Sequence, residues 1–279
     1  MNKVTFSLEV FPPKNDVELS AIQSALYEFA ALAPDFISVT YGAGGKGSMN
    51  TVDIASEIQN VHRISGIAHL TCRGTKRTDI DGILDSLKAR NVSRILALRG
   101  DAGLENASDF VYATDLVEYI MKRGDFEVFA ACYPEGHTES VGYNQDIEVM
   151  KMKSDLGVSR FISQLFYDND DFFRMRDEMA KHGISTPVSA GIMPLTSVKQ
   201  IMRIVTLSGA KLPARITKLV SRFENNPAAF RQAGLNFAVE QITELLSGDV
   251  QGIHVYCMNN PATAAYIKQN ISTLLHGVN

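Results

Sequence analysis

The feature that most constrains this chain is an alternation of strand-like and helix-like stretches with a beat of roughly 30 residues, the length of one strand–helix–strand unit. Strand-like runs fall at Phe6–Val10, Phe36–Thr40, Gly66–Cys72, Ser93–Arg99, Phe126–Cys132, Phe161–Phe166, Pro187–Ile192 and Gly252–Cys257. Between them lie apolar stripes of helical period, such as Leu19, Ile22, Leu26, Phe29 and Leu32, or Ile80, Ile83, Leu84 and Leu87. Helices are expected over Asp16–Ala33, Ser48–Ile64, Thr78–Arg90, Phe110–Arg123, Asn144–Leu156, Asp170–His182, Ser197–Leu207, Pro213–Arg222, Pro227–Ser247 and Pro261–Leu275. Unbroken βα alternation implies a parallel sheet, and eight units favour closure into an α/β (β/α)8 TIM barrel. A doubly wound open sheet is the alternative. No Gly/Ser/Pro-rich linker divides residues 1–279, so a single domain is expected.

Composition narrows the function classes. Hydrophobic residues make up 45% and charged residues 21%, enough to fill a barrel core. A net charge of −4 without a Lys/Arg block argues against nucleic acid or an anionic membrane as partner. No stretch reaches the about 18 apolar residues of a membrane span, and no leader precedes the first strand. Three widely spaced cysteines, Cys72, Cys132 and Cys257, form no C-x-x-C pair and read as reduced core thiols of a cytoplasmic protein.

In a barrel, chemistry gathers at the carboxyl ends of the strands. Pro12 and Pro13 end the first strand, so Glu9 sits at its rim, on the opposite face from Leu8 and Val10. A carboxylate there needs a partner or a task; the plain alternative is a salt-bridged edge glutamate. The other strand ends offer Thr40, His69 with Thr71, Arg99-Gly100-Asp101, Tyr133 with nearby His137, Gln164 and Tyr256. Arg99 suits a phosphate or ring carbonyl, and Gly100 lets backbone approach a flat ligand. No third ligand joins His69 and Cys72 at metal-binding spacing, so no metal is expected. The Gly42–Gly45 run lacks the P-loop order, and no G-x-G-x-x-G follows a strand. Lys153 lies on a helix, by default a solvated position. Gln200 and Ile204 share a helix face.

With these residues in view, the chain resembles the methylenetetrahydrofolate reductase family, of the bacterial single-domain type. The matching strings are Ser7–Lys14, Ser38–Ala43, His69–Cys72, Ala97–Asp101, Ala131–His137, Ser163–Asp168, Gly191–Leu195 and the Asn259 region, in family order over nearly the whole chain. The resemblance implies a barrel carrying FAD, similar in plan to the proline dehydrogenases. It implies reduction of 5,10-methylenetetrahydrofolate to 5-methyltetrahydrofolate, with NADH or NADPH as donor, feeding methionine synthesis. Glu9 would be the general acid and Asp101 would sit beside the flavin pyrimidine. Thr40, His69, Arg99, Gly100, Tyr112, Ala113, Ala131, Tyr133, His137, Asp146 and Lys153 would line the flavin site. Gln164, Gln200 and Tyr256 are expected on the substrate side. Apolar Leu8 and Phe11, with Asp101, should raise the Glu9 pKa so that it is protonated near neutral pH. Two positions depart from the family: Ile204 stands where an aromatic is common, and Asn260 where an Arg is. A proline dehydrogenase-like flavin barrel and a subunit fed by a partner protein are the rival readings. A homo-oligomer is allowed.

Overall fold

The computed structural model describes residues 3–13, 16–41, 45–100 and 108–276. The strands are β1 (Thr5–Val10), β2 (Phe36–Val39), β3 (Ser65–Thr71), β4 (Arg94–Leu98), β5 (Glu127–Cys132), β6 (Arg160–Ser163), β7 (Val188–Ile192) and β8 (Gly252–Val255). All pair in parallel and in chain order. β8 returns to β1, closing the barrel and setting aside the open-sheet alternative.

The helices are α1 (Asp16–Ala31), α2 (Gly45–Asn60), α3 (Arg77–Ala89), α4 (Ala113–Arg123), α5 (Tyr143–Asp155), α6 (Asn169–Lys181), α7 (Val198–Ser208), α8 (Ala214–Phe223), α9 (Pro227–Ser247) and α10 (Pro261–His276). Their starts follow from local chemistry. Ser197 caps α7 by accepting from the Gln200 amide, and Asn226 caps α9 with Pro227 in its first turn. α4 begins later than the apolar pattern suggests. The Asp115 carboxylate accepts from the Val111 and Tyr112 amides and keeps that segment extended. β6 stops at Ser163, short of the expected Phe166, because the Leu165 amide turns to its neighbour's Gln164 Oε1.

Strand alternation builds two apolar layers. Phe6, Leu8, Val10, Ile37, Leu70, Ile95 and Val128 face the helices in the larger core. Phe36, Ile67, Leu96, Phe129 and Ile162 have the other parity and fill the lumen as a separate cluster. A third cluster, including Leu165, Met193, Ile201, Ile204, Ile216 and Phe230, joins α7, α8 and α9 beside the barrel mouth. The lumen cluster is a floor. Residues one step further along the same strands stand above it.

Candidate active site

Glu9 is two residues beyond Ser7 on the lumen face of β1. Register places Glu9 opposite Ser38 and Ser7 opposite His254. These residues form a buried polar group with His69: Glu9 is 8% exposed, His69 6%, and Ser7, Ser38 and His254 0%. Glu9 Oε2 lies 3.4 Å from His69 Nε2, 3.6 Å from His254 Nε2 and 3.4 Å from Ser38 Oγ. On the far side of the His254 ring, Nδ1 is 2.8 Å from Ser7 Oγ, whose hydroxyl donates to the Ile253 carbonyl at 3.2 Å. The His254 ring thus bridges the two side chains, Nδ1 toward the Ser7 hydroxyl and Nε2 toward the Glu9 carboxylate.

The electrostatics reverse one expectation from the sequence. Burial pushes the Glu9 carboxyl up, but the His254 contact, the fields of His69 and His254 and the Ser38 hydroxyl outweigh it, so its pKa lies below the ordinary value. Burial drives His69 down to about 4 despite the pull of Glu9, so at neutral pH its ring is neutral. Glu9 is therefore an ionised, histidine-flanked carboxylate. Of the apolar neighbours expected around it, Leu8 faces the outer core, away from the carboxyl.

Above this group opens a cavity of about 1400 Å³. A pocket for one small ligand is about 300–1,000 Å³, so there is room for two ring systems. Glu9, Thr40, His69, Arg99, Gly100, Ala131, Tyr133, His137, Asp146, Gln164 and Tyr256 all line it, gathering most of the residues expected from the sequence. Several are held by hydrogen bonds to their neighbours. Thr40 continues the ladder through its amide to the Val10 carbonyl at 3.0 Å. Asp146 accepts the His137 amide at 2.9 Å. His137 Nδ1 accepts the Glu139 amide at 3.0 Å, which leaves the neutral ring's proton on Nε2. Burial, then the Arg99 field, lower the His137 pKa. Tyr256 donates to the Ser163 carbonyl at 2.6 Å, packed over Gly191. A Cβ on Gly191 would stand 2.2 Å from that carbonyl and 2.7 Å from the tyrosine ring.

Other expected residues stand apart. Lys153 is buried, not solvated, and donates to the Ala131 carbonyl at 3.0 Å from behind the cavity wall. Tyr112 is exposed and precedes Ala113, the first residue of α4; neither lines the cavity. Gln200 closes the first turn of α7, its Oε1 accepting from the Thr196 amide and hydroxyl, and it does not line the cavity either. Ile204 is a buried member of the satellite cluster. Asn260 accepts the Thr263 amide at 3.0 Å and so caps α10. Asp101 and the Gly42–Gly44 run lie outside the described residues. Sequence reasoning missed Ser7, Ser38 and His254. The available signal was parity: Ser7 precedes Glu9 by two, and His254 precedes Tyr256 by two.

The donor set fits a dinucleotide flavin better than a metal. Two arginines, Arg73 and Arg99, line the cavity, with the protonated Nε2 of His137 as a further donor. Gly100, at φ +91°, leaves backbone open where a side chain would crowd Thr71. Among the described residues, no three His, Cys, Asp or Glu side chains are grouped to hold a metal ion. Burial pushes the Cys72 thiol up to about 11 and those of Cys132 and Cys257 to about 12, so none is a thiolate nucleophile at neutral pH. No helix of the described residues is long and apolar enough to cross a membrane.

The family model for methylenetetrahydrofolate reductase matches residues 1–272. The chain is 30% identical over 257 residues to a 5,10-methylenetetrahydrofolate reductase of Pectobacterium carotovorum, covering 92% of this chain and 86% of that enzyme. It is 30% identical over 289 residues to methylenetetrahydrofolate reductase (NADH) 1 of Zea mays, covering 98% of this chain and 49% of that one. The chain thus spans about half the length of such plant relatives. Among solved structures, an uncharacterized protein from Clostridium thermocellum that binds two copies of 5-methyl-5,6,7,8-tetrahydrofolic acid superposes with a TM-score of 0.68 at 11% identity, over 99% of this chain and 96% of that one. A 2,3-dimethylmalate lyase superposes with a TM-score of 0.53 at 11% identity, over 99% and 83%. Both likenesses show the barrel fold alone.

Proposed function

The chain belongs to the methylenetetrahydrofolate reductase family, and from that premise we propose that it reduces 5,10-methylenetetrahydrofolate to 5-methyltetrahydrofolate, with FAD as cofactor and NADH or NADPH as electron donor. The observation that carries this reading is Glu9: a buried carboxylate, flanked by two histidines, at the floor of a cavity with room for a cofactor and a substrate. A flavin bound there supplies a carrier that takes two electrons from a nicotinamide and yields them to carbon as hydride.

The protein's own part is proton management. The closed five-membered ring of the substrate accepts hydride poorly. Protonation at N10 opens it to a 5-iminium cation, a strong acceptor. In this reading Glu9, at the cavity floor, gives that proton. Because its carboxyl is ionised at rest, it must take up a proton before it can give one, and His69 Nε2 at 3.4 Å and His254 Nε2 at 3.6 Å are the ring nitrogens that flank it. Ser7 holds the other ring nitrogen, so His254 is fixed with Nε2 toward the carboxylate. Substrate covering the cavity excludes water and strengthens the upward push of burial on Glu9, which favours the protonated carboxyl. Asp101 would favour the substrate cation electrostatically. Gln164 and Tyr256 would orient the pterin, and Lys153 would support the flavin site through the Ala131 carbonyl. The methyl product would feed methionine synthesis. Three free, buried thiols are consistent with a cytoplasmic setting.

The test is reconstitution of the purified chain with FAD, followed anaerobically by its visible absorbance. Tight binding with bleaching by NADH or NADPH is expected; failure to bind FAD would refute the reading. Ile204 is buried in the satellite cluster and presents no ring to the cavity for a nicotinamide to stack on, which favours one second reading, a protein electron donor. In that case the folate would reoxidise photoreduced flavin, but neither nicotinamide would bleach it.

A further inference from the structure

Arg73 directly follows the His69–Cys72 string and leads out of β3. Its amide donates to the Arg99 carbonyl at 2.8 Å, so two arginines leave adjacent strands side by side on the cavity wall. Their guanidinium groups converge on one atom. Arg99 Nη2 hydrogen-bonds Glu139 Oε2, and Arg73 Nη2 is 3.8 Å from the same oxygen. The arginine side chains are 14% and 21% exposed, whereas Glu139 is 46% exposed and reaches in from the loop between β5 and α5. Gly100 lies alongside, where an added Cβ would meet Arg73 Cβ at 3.6 Å, so the floor beside the pair is clear of a side chain.

We propose that Arg73 and Arg99 form a clamp for a diphosphate, and that Glu139 is the resident anion an incoming ligand must displace. The assignment of that diphosphate to a dinucleotide cofactor rests on the flavin reading above. A tethered carboxylate competes at an effective concentration of order millimolar. A ligand with one carboxylate gains nothing by replacing it. A diphosphate brings two charges and several acceptor oxygens to two planar, always charged forks. Glu139 is the most exposed of the three, so it can turn to water at least cost. The triad therefore admits diphosphates and rejects single carboxylates.

The experiment titrates the full chain with inorganic pyrophosphate and with acetate by calorimetry, and with FAD and riboflavin by flavin fluorescence. Wild type should bind pyrophosphate but not acetate. Arg73→Gln should weaken pyrophosphate and FAD binding about fivefold, the scale of one partly screened ion pair, and leave riboflavin binding unchanged. Arg73→Lys should recover part of the loss. Glu139→Gln should strengthen pyrophosphate and FAD binding by a similar factor. The proposal is overturned if wild type does not bind pyrophosphate, if Glu139→Gln weakens or fails to change its binding, or if Arg73→Gln acts equally on riboflavin. If the pyrophosphate series holds while neither FAD nor riboflavin binds, the flavin reading falls and the clamp stands.

Discussion

Replacing His254 separates a structural from a protonic role at this site. The ring is fully buried, stacked on Phe36 at 5.8 Å and edge-on to Tyr256 at 5.2 Å. In His254→Asn the amide can still meet Ser7 but cannot reach the place of Nε2, 3.6 Å from Glu9. Lost packing and one lost buried hydrogen-bond partner should cost about 2–3 kcal/mol of stability. The catalytic effect comes through Glu9. Burial is the largest influence on its carboxyl and pushes its pKa up; His254 is the largest influence opposing it. Without the ring, Glu9 holds its proton to higher pH and is a weaker acid. A whole general acid contributes about 10²–10⁴-fold. Losing the group that stabilises its carboxylate should remove part of that, about ten- to a hundredfold, at pH values where both forms are protonated. The alkaline limb of the pH profile should move up, so the two profiles approach each other at high pH. The assay is stopped-flow reoxidation of photoreduced flavin by 5,10-methylenetetrahydrofolate across a pH series. A variant slowed equally at every pH, or one with its alkaline limb unmoved or lowered, would refute the linkage, since packing damage alone does not shift that limb.

Further outcomes follow from the same geometry. Gly191→Ala forces a Cβ to within 2.2 Å of the Ser163 carbonyl and 2.7 Å of Tyr256, so it should cost about 1–3 kcal/mol and lower the midpoint in thermal unfolding; an unchanged midpoint would mean the tyrosine is not seated there. Burial drives Lys153 down to about 8 from 10.5. Between those values the unfolded chain still binds a proton that the folded one has released, so stability should rise with pH through that window by up to about 3 kcal/mol. Denaturant midpoints for Lys153→Met should lack that rise. Asn260→Ala should cost about 1 kcal/mol through loss of the α10 cap, measured by denaturant unfolding.

The barrel was legible because strand periodicity and helix stripes are local, and eight parallel units have few ways to pack. The rim was legible for the same reason: Glu9, Thr40, His69, Arg99, Tyr133 and Gln164 each sit at a strand end that proline, glycine or a polarity change marks. Charge state was not legible. It depends on residues brought together by register across β8, β1, β2 and β3, and the chain keeps Glu9 and His254 far apart until the barrel closes. Lys153 was misread for a related reason. Its own helix has little apolar contrast, and only the neighbouring β5 carbonyl explains why its amine is buried. Gln200 shares a face with Ile204, but that face serves the satellite cluster and the helix's own first turn, which periodicity cannot tell from a rim.

The account rests on Glu9 as the proton donor to folate, and comparing wild type with Glu9→Gln in the two half-reactions tests it most directly. The isosteric amide should bind FAD and accept electrons from the donor as wild type does. Its reduction of 5,10-methylenetetrahydrofolate should fall by about 10²–10⁴. A Glu9→Gln enzyme that reduces the folate at the wild-type rate would contradict the account.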